Sequence, residues 1–253
     1  MSETKQNRVV ILGATSAMAE AVARIYAQEG AAIALAGRNA ERLDIIAADL
    51  SARGAAAVPV FALDLATADV GTNFEAMVAV LGGVEHVLIF YGVLGDQQQA
   101  EGDLALAEEW LRVNFTSAAL WSLAAAQRLE RQGYGSLVVV GSVAGDRGRQ
   151  SNYVYGAAKA GLATLVQGIA HRFALKRGRA LRAVVVKPGF VDTPMTDGLK
   201  KGGLLWATPE TVAVIIRKAA DRGGPIVYAP WFWRPILWII RFFPSALFHR
   251  LPL

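Results

Sequence analysis

The sequence predicts an α/β fold: a doubly wound, seven-stranded parallel sheet with helices on both faces, followed by an apolar C-terminal tail. Three observations carry this. Seven short apolar runs alternate with segments of helical period. The runs mostly lack the in–out alternation of a half-buried strand, so each is read as covered on both faces. The chain of 253 residues is 54% AVILMFWYC and only 19% charged, enough apolar matter for one large core and too much for a disordered chain.

In order, the strands are read at Val9–Leu12, Ala32–Ala36, Ala57–Ala62, Val87–Phe90, Leu137–Val140, Ala183–Val186 and Ile226–Tyr228. Helices are expected near 17–29, 40–52, 69–81, 103–132, 153–177 and 208–222. Thr208-Pro209 marks a helix start, with Thr as N-cap and Pro at the first helical position. No linker, repeat or low-complexity tract divides the chain, so residues 1–230 read as one catalytic-size domain and 231–253 as a tail.

Composition excludes several chemistries. There is no cysteine, hence no disulfide, thiolate metal site or cysteine nucleophile. The three histidines, His86, His171 and His249, share no metal-ligand spacing and are read as packing or surface residues; no metal is expected. The net charge of +5 is uneven. Residues 1–170 hold 12 basic and 17 acidic side chains, and residues 171–253 hold 14 and 4. An anionic partner near the C-terminal part is therefore expected: a phosphate or a membrane surface, with nucleic acid the least favoured because no recognition motif accompanies the charge. The N-terminal residues lack a basic stretch followed by an apolar one, so the expected location is the cytoplasm.

The turn Gly13-Ala14-Thr15-Ser16-Ala17-Met18-Ala19 follows the first strand and opens a helix. A dinucleotide pyrophosphate sits on such a helix N-terminus, where unpaired N–H groups point outward. Gly13 allows the tight turn, and Thr15 and Ser16 add hydroxyls. Alanines stand at 17 and 19, where the related pattern has glycines. At the end of the second strand comes Arg38-Asn39, where an acid would bind a ribose 2′-hydroxyl. A guanidinium there can pair with a 2′-phosphate, which favours NADP(H) and leaves NAD(H) open.

Tyr155 and Lys159 lie four residues apart, on one helix face. A cation beside a phenol favours phenolate, and so the lysine is expected to lower the tyrosine pKa. Ser142, just past the fifth strand, can hold a carbonyl oxygen while Tyr155 transfers the proton. With these residues, the Gly13 turn, Asp64-Leu65, Asn114 in Val-Asn-Phe-Thr, Gly141-Ser142 and Lys187-Pro188-Gly189-Phe190-Val191-Asp192-Thr193-Pro194-Met195, the chain resembles the short-chain dehydrogenase/reductase family along nearly its whole length. The resemblance implies a Rossmann-type fold and hydride transfer between nicotinamide and a ketone or secondary alcohol. It implies that Asn114, Ser142, Tyr155 and Lys159 are catalytic. Cofactor contacts would come from Gly13, Thr15, Ser16, Met18, Arg38, Asn39, Asp64, Leu65, Gly92, Pro188, Gly189, Val191 and Thr193, with Tyr155 and Lys159. A homo-oligomer is expected through the helices at 103–132 and 153–177.

The sequence departs from the family in Ala17, Ala19 and in Ile89-Phe90-Tyr91-Gly92, which stands for the usual Asn-Asn-Ala-Gly. Within the family, Tyr91–Asp96, Ala144–Arg147, Val154–Gly156 and Val227–Pro230 with the tail are similar to ketoreductases of the decaprenylphosphoryl-2-keto-erythro-pentose type. That implies a lipid-linked keto sugar as substrate. The alternatives are a steroid, acyl or other lipid ketone, or a non-catalytic partner protein that keeps the fold. Arg147, Arg149, Lys200 and Lys201 are candidates to meet a substrate phosphate. In the tail, a helix over Pro235–Phe243 is too short to span a bilayer. Its Trp, Phe and Arg residues fit an interfacial helix at the inner face of an anionic membrane, a subunit contact, or a cover over the substrate pocket.

Overall fold

The computed structural model describes residues 7–176, 179–198 and 202–250. The chain runs β1 (Arg8–Leu12), α1 (Ala17–Gln28), β2 (Ala32–Gly37), α2 (Ala40–Ala52), β3 (Val60–Ala62), α3 (Val70–Leu81), β4 (His86–Ile89), α4 (Gln97–Gly102), α5 (Leu104–Leu111), α6 (Ala118–Gln132), β5 (Tyr134–Val140), α7 (Tyr153–Ala174), β6 (Ala180–Pro188), β7 (Phe190–Val191), β8 (Trp206–Ala207), α8 (Pro209–Arg222), β9 (Ile226–Ala229), α9 (Trp233–Phe242) and α10 (Ser245–Phe248).

The seven main strands form one parallel sheet in the order β3-β2-β1-β4-β5-β6-β9. Successive residues of β1 point to opposite faces: Val9 and Ile11 join a core with α1, α2 and α8, while Val10 and Leu12 join one with α3, α6 and α7. The continuous apolar runs are explained by these two cores. The strand order reverses between β1 and β4, where Leu12 pairs with both Ala36 and Ile89. A doubly wound sheet opens a ligand crevice at the carboxyl ends of the strands at that switch point.

Two expectations are corrected and one helix is added. Residues 57–59 lie outside β3, and Ala57 makes only an isolated bridge to Ala32. The helix expected over 103–132 is two helices joined by a π-helical segment, Arg112–Ser117. The short α4 was not anticipated, because its sequence, Gln-Gln-Gln-Ala-Glu-Gly, has no apolar stripe; Asp96 starts it by accepting from Gln98 N–H at 2.8 Å. Among the described residues no helix is long and apolar enough to cross a membrane.

The tail folds back on the domain. Trp233, Leu237 and Phe248 are buried, whereas Trp231, Trp238, Ile239 and Phe242 are exposed. Arg147 anchors it: one guanidinium nitrogen donates to the carbonyls of Ile240 and Phe243, and the group lies 3.8 Å from the Phe248 ring centroid. Arg147 thus serves the end of α9, where the sequence had offered it as a candidate to meet a substrate phosphate. Next to it, the buried Asp146 pairs with Lys187 and accepts from Tyr228 Oη at 2.6 Å. This ties the β5–α7 connection to β6 and β9.

Candidate active site

The first turn forms as its residues require. Gly13 has φ of 82°, open to glycine at no steric cost. A Cβ there would stand 2.7 Å from the Tyr91 nitrogen, so the β1 and β4 ends approach closely only with glycine. Ser16 is the N-cap of α1, yet its side chain makes no capping bond. The hydroxyl and the first N–H groups of α1 therefore remain for a ligand. Ala19 fits within the core without opening the turn.

A groove runs from this turn across the sheet end. Its outer part is lined by Gly13, Thr15, Ser16, Met18, Arg38, Asp64, Leu65 and Gly92, among others. Its inner part includes Ser142, Tyr155, Lys159, Pro188, Gly189 and Val191, with Met18, Gly92 and Thr193 among the residues shared. Arg38 is exposed and pairs with no carboxylate among the described residues. Asn39 is not brought into the groove: it caps α2, its Oδ1 accepting from Arg42 N–H at 2.9 Å. Lys200 and Lys201 lie outside the described residues.

The floor of the outer part is fixed by a tie that the sequence did not signal. The Leu65 carbonyl accepts from Ser117 Oγ and from Trp121 Nε1, both at 2.9 Å. Tyr91 Oη lies 2.5 Å from the same Ser117 oxygen. Burial pushes the Tyr91 pKa up. This tyrosine, read as a departure from the family pattern, is a neutral tie between the β4 end and the last residue of the π-helical segment that precedes α6.

At the inner end, Ser142 follows β5, and Tyr155 and Lys159 come from the first turns of α7. Tyr155 is 9% exposed and Lys159 4%. Lys159 Nζ donates to the Val140 carbonyl at 3.3 Å and lies 5.7 Å from the Tyr155 ring centroid. The lysine was expected to lower the tyrosine pKa. Instead burial dominates and raises it, with the Ser142 hydrogen bond acting in the opposite direction. Burial also brings Lys159 down to about 8. Asn114 sits in the π-helical segment, where such irregularities often mark function. Its Oδ1 accepts from Val93 N–H at 2.9 Å, and its Nδ2 donates to the carbonyls of Val93 and Trp110 at 2.8 and 3.0 Å. It clamps the loop after β4, holding Gly92 against Lys159.

Comparison with known proteins agrees with this geometry. Residues 7–202 match the family model described as short chain dehydrogenase. An uncharacterised oxidoreductase of Mycobacterium tuberculosis is 38% identical over 255 residues, covering 100% of both chains. One from Streptomyces coelicolor is 36% identical, covering 96% of this chain and 95% of its own. A 3-oxoacyl-[acyl-carrier-protein] reductase of Bos taurus is 32% identical over 76% of this chain and 78% of its own. Among solved structures, a short-chain type dehydrogenase/reductase from Mycobacterium ulcerans superposes with a TM-score of 0.77 at 20% identity, over 88% of this chain and 87% of that one. The chain belongs to the short-chain dehydrogenase/reductase family and is an oxidoreductase of that class, whose members bind a nicotinamide cofactor. The residues present fit such a group: a turn opened by Gly13, an uncapped helix start and a groove leading to the tyrosine.

Proposed function

We propose that the protein is an NADPH-dependent ketoreductase acting on a lipid-linked, hydroxylated ketone of the polyprenyl-phosphate keto-sugar type, at a membrane surface. The observation that carries this is the joint between a catalytic cavity and α9. That helix lends Trp233 to the cavity lining while leaving Trp238, Ile239 and Phe242 exposed. No acid occurs in residues 231–253, which carry Arg234, Arg241 and Arg250. Aromatic and basic residues on an exposed helix face suit the interface of an anionic bilayer. Arg38 at the outer end of the groove supports NADPH, since its guanidinium can take a 2′-phosphate.

When bound, the nicotinamide supplies the hydride. Ser142 Oγ donates to the substrate carbonyl oxygen, and Tyr155 Oη gives its proton to that oxygen as the alcohol forms. A buried phenol held in its protonated form suits this direction. The Lys159 ammonium, over the ring, stabilises the phenolate left behind.

A second reading, reduction of an acyl ketone, is favoured by the similarity to the bovine 3-oxoacyl reductase. NADPH oxidation against a panel of a keto-sugar phosphodiester, a 3-oxoacyl thioester and a ketosteroid decides between them. Turnover of the thioester alone overturns the sugar reading. Substituting Arg38→Ala is expected to weaken NADPH about tenfold and leave NADH nearly unchanged. Co-sedimentation with anionic vesicles, compared between the full chain and Trp238→Glu/Phe242→Glu, tests the surface: equal partitioning sinks that part.

A further inference from the structure

The helix that carries Tyr155 is capped from outside. Tyr155 is the third residue of α7, within the first turn, whose N–H groups have no intrahelical partner. Asparagine at the preceding N-cap normally accepts from one of them. Asn152 makes no such bond, and the Val154 N–H donates instead to Gln97 Oε1 at 3.1 Å. Gln97 opens α4, 57 residues upstream. It is buried, and its Nε2 donates to Glu101 Oε1 at 3.4 Å, which turns Oε1 towards α7. Buried polar side chains are held by their hydrogen bonds, and both ends of this amide have one.

The segment leading into α4 is fixed along its length. Val93 exchanges two hydrogen bonds with the Asn114 side chain, at 2.9 and 2.8 Å. Gly95, with φ of 65°, lies against the Trp110 ring, where a Cβ would collide. Asp96 caps α4. One end of the segment thus holds Gly92 beside Lys159, and the other holds the amide next to Tyr155. α7 also stands close to the turn that begins at Ser142. A Cβ at Gly145 would lie 2.7 Å from the Ala160 nitrogen, and one at Gly156 3.0 Å from the Ala144 oxygen. That contact sets the spacing between α7 and the Ser142 turn. Helix ends fray, and the tether on Val154 holds the end that carries Tyr155.

We propose that Gln97 is a positioning residue of the reaction: by accepting from the Val154 N–H it holds the first turn of α7, and with it the Tyr155 hydroxyl, in place against Ser142. Gln97 lines neither part of the groove, so it acts through Tyr155 and not on a ligand. Misplacing a reacting group by an ångström costs about 100-fold in rate, and loosening one turn without unfolding it should cost about tenfold. The catalytic consequence rests on the ketoreductase reading, which gives Tyr155 the proton.

The test compares the unsubstituted chain with two variants. Gln97→Leu removes the acceptor at similar volume. Gln97→Glu combined with Glu101→Gln returns an acceptor oxygen to position 97 and keeps the charge of α4. The readouts are kcat and KM with the most active ketone of the panel above, NADPH affinity by fluorescence, and hydrogen exchange of the Val154 amide by NMR in the cofactor-free protein. Gln97→Leu is expected to lower kcat about tenfold and to leave the ketone KM and the NADPH Kd within about twofold. Its Val154 amide should exchange about 5–10-fold faster. The paired substitution is expected to bring kcat and exchange back to within about twofold of the unsubstituted chain. Three results overturn the positioning role: an unchanged kcat or Val154 exchange in Gln97→Leu; a parallel loss in kcat, KM and NADPH affinity, which marks general loosening; or a loss that the paired substitution fails to restore, which marks packing. An unsubstituted protein that reduces no ketone, while Gln97 still governs Val154 exchange in this way, sinks the ketoreductase reading and keeps the tether on α7.

Discussion

Gly92→Ala should disable the site through a single methyl group. Built on this backbone, the new Cβ stands 2.6 Å from Asn114 Oδ1 and 3.2 Å from Lys159 Nζ. Restoring ordinary contact asks Asn114 to move by roughly 0.8 Å. Its side chain is 1% exposed and holds three hydrogen bonds of 2.8–3.0 Å. A neutral buried bond contributes about 1 kcal/mol, so losing two or three costs about 2–3 kcal/mol. For a chain of this size that is about 4–12 °C in Tm. Displacing Lys159 from the Tyr155 ring should lower kcat by about 100-fold. Thermal unfolding and NADPH oxidation measure the two effects. The control is Asn114→Ala, which removes the obstructing oxygen: in that background Gly92→Ala should add less than about 1 kcal/mol. A Gly92→Ala protein that melts within about 1 °C of the unsubstituted chain, or an undiminished effect in the Asn114→Ala background, would refute the clamp.

Two further predictions concern stability. Asp146→Asn breaks a buried ion pair on one side, leaving Lys187 uncompensated at 7% side-chain exposure; the expected loss is about 3–5 kcal/mol in denaturant unfolding, and much less for Asp146→Asn combined with Lys187→Met. His86, 8% exposed, has its pKa pushed down to about 4 by burial, with Arg217 adding to the effect and Asp221 opposing it. The unfolded chain takes up this proton near the ordinary value of 6.5 and the native chain resists it. The stabilising contribution is therefore complete above pH 6.5 and is lost as pH falls towards 4, amounting to about 3 kcal/mol. Urea unfolding across this range should show that slope in the native sequence and a flatter one in His86→Gln; an identical slope in both counts against the assignment.

The architecture was legible because its signals are local. Strand burial on two faces gives unbroken apolar runs such as Val9–Leu12, and the Gly13 turn and the Tyr155/Lys159 spacing each lie within a few residues. What stayed hidden depends on long-range partners or on helix geometry. The π-helical segment that positions Asn114 leaves no mark in periodicity. Tyr91 looked like a missing family residue until Ser117 and Leu65 were seen beside it. Arg147 was offered as a candidate to meet a substrate phosphate, because nothing near it in sequence shows that α9 returns its carbonyls to that point. Trp233 enters a cavity whose other residues lie far upstream, and the tail's aromatic and basic composition pointed first to lipid, with subunit and pocket as the alternatives. The fold brings Trp233 to the pocket, buries Leu237 and Phe248 against the domain, and leaves Trp238, Ile239 and Phe242 exposed.

In the proposed reaction Tyr155 supplies the proton of a nicotinamide-dependent ketone reduction. Single-turnover NADPH oxidation with a saturating keto substrate, measured alongside NADPH binding by fluorescence, addresses it in the unsubstituted protein and in Tyr155→Phe. The phenylalanine variant is expected to bind NADPH with unchanged affinity and to lose at least about 100-fold in rate. A Tyr155→Phe protein that reduces the ketone at the native rate would contradict it.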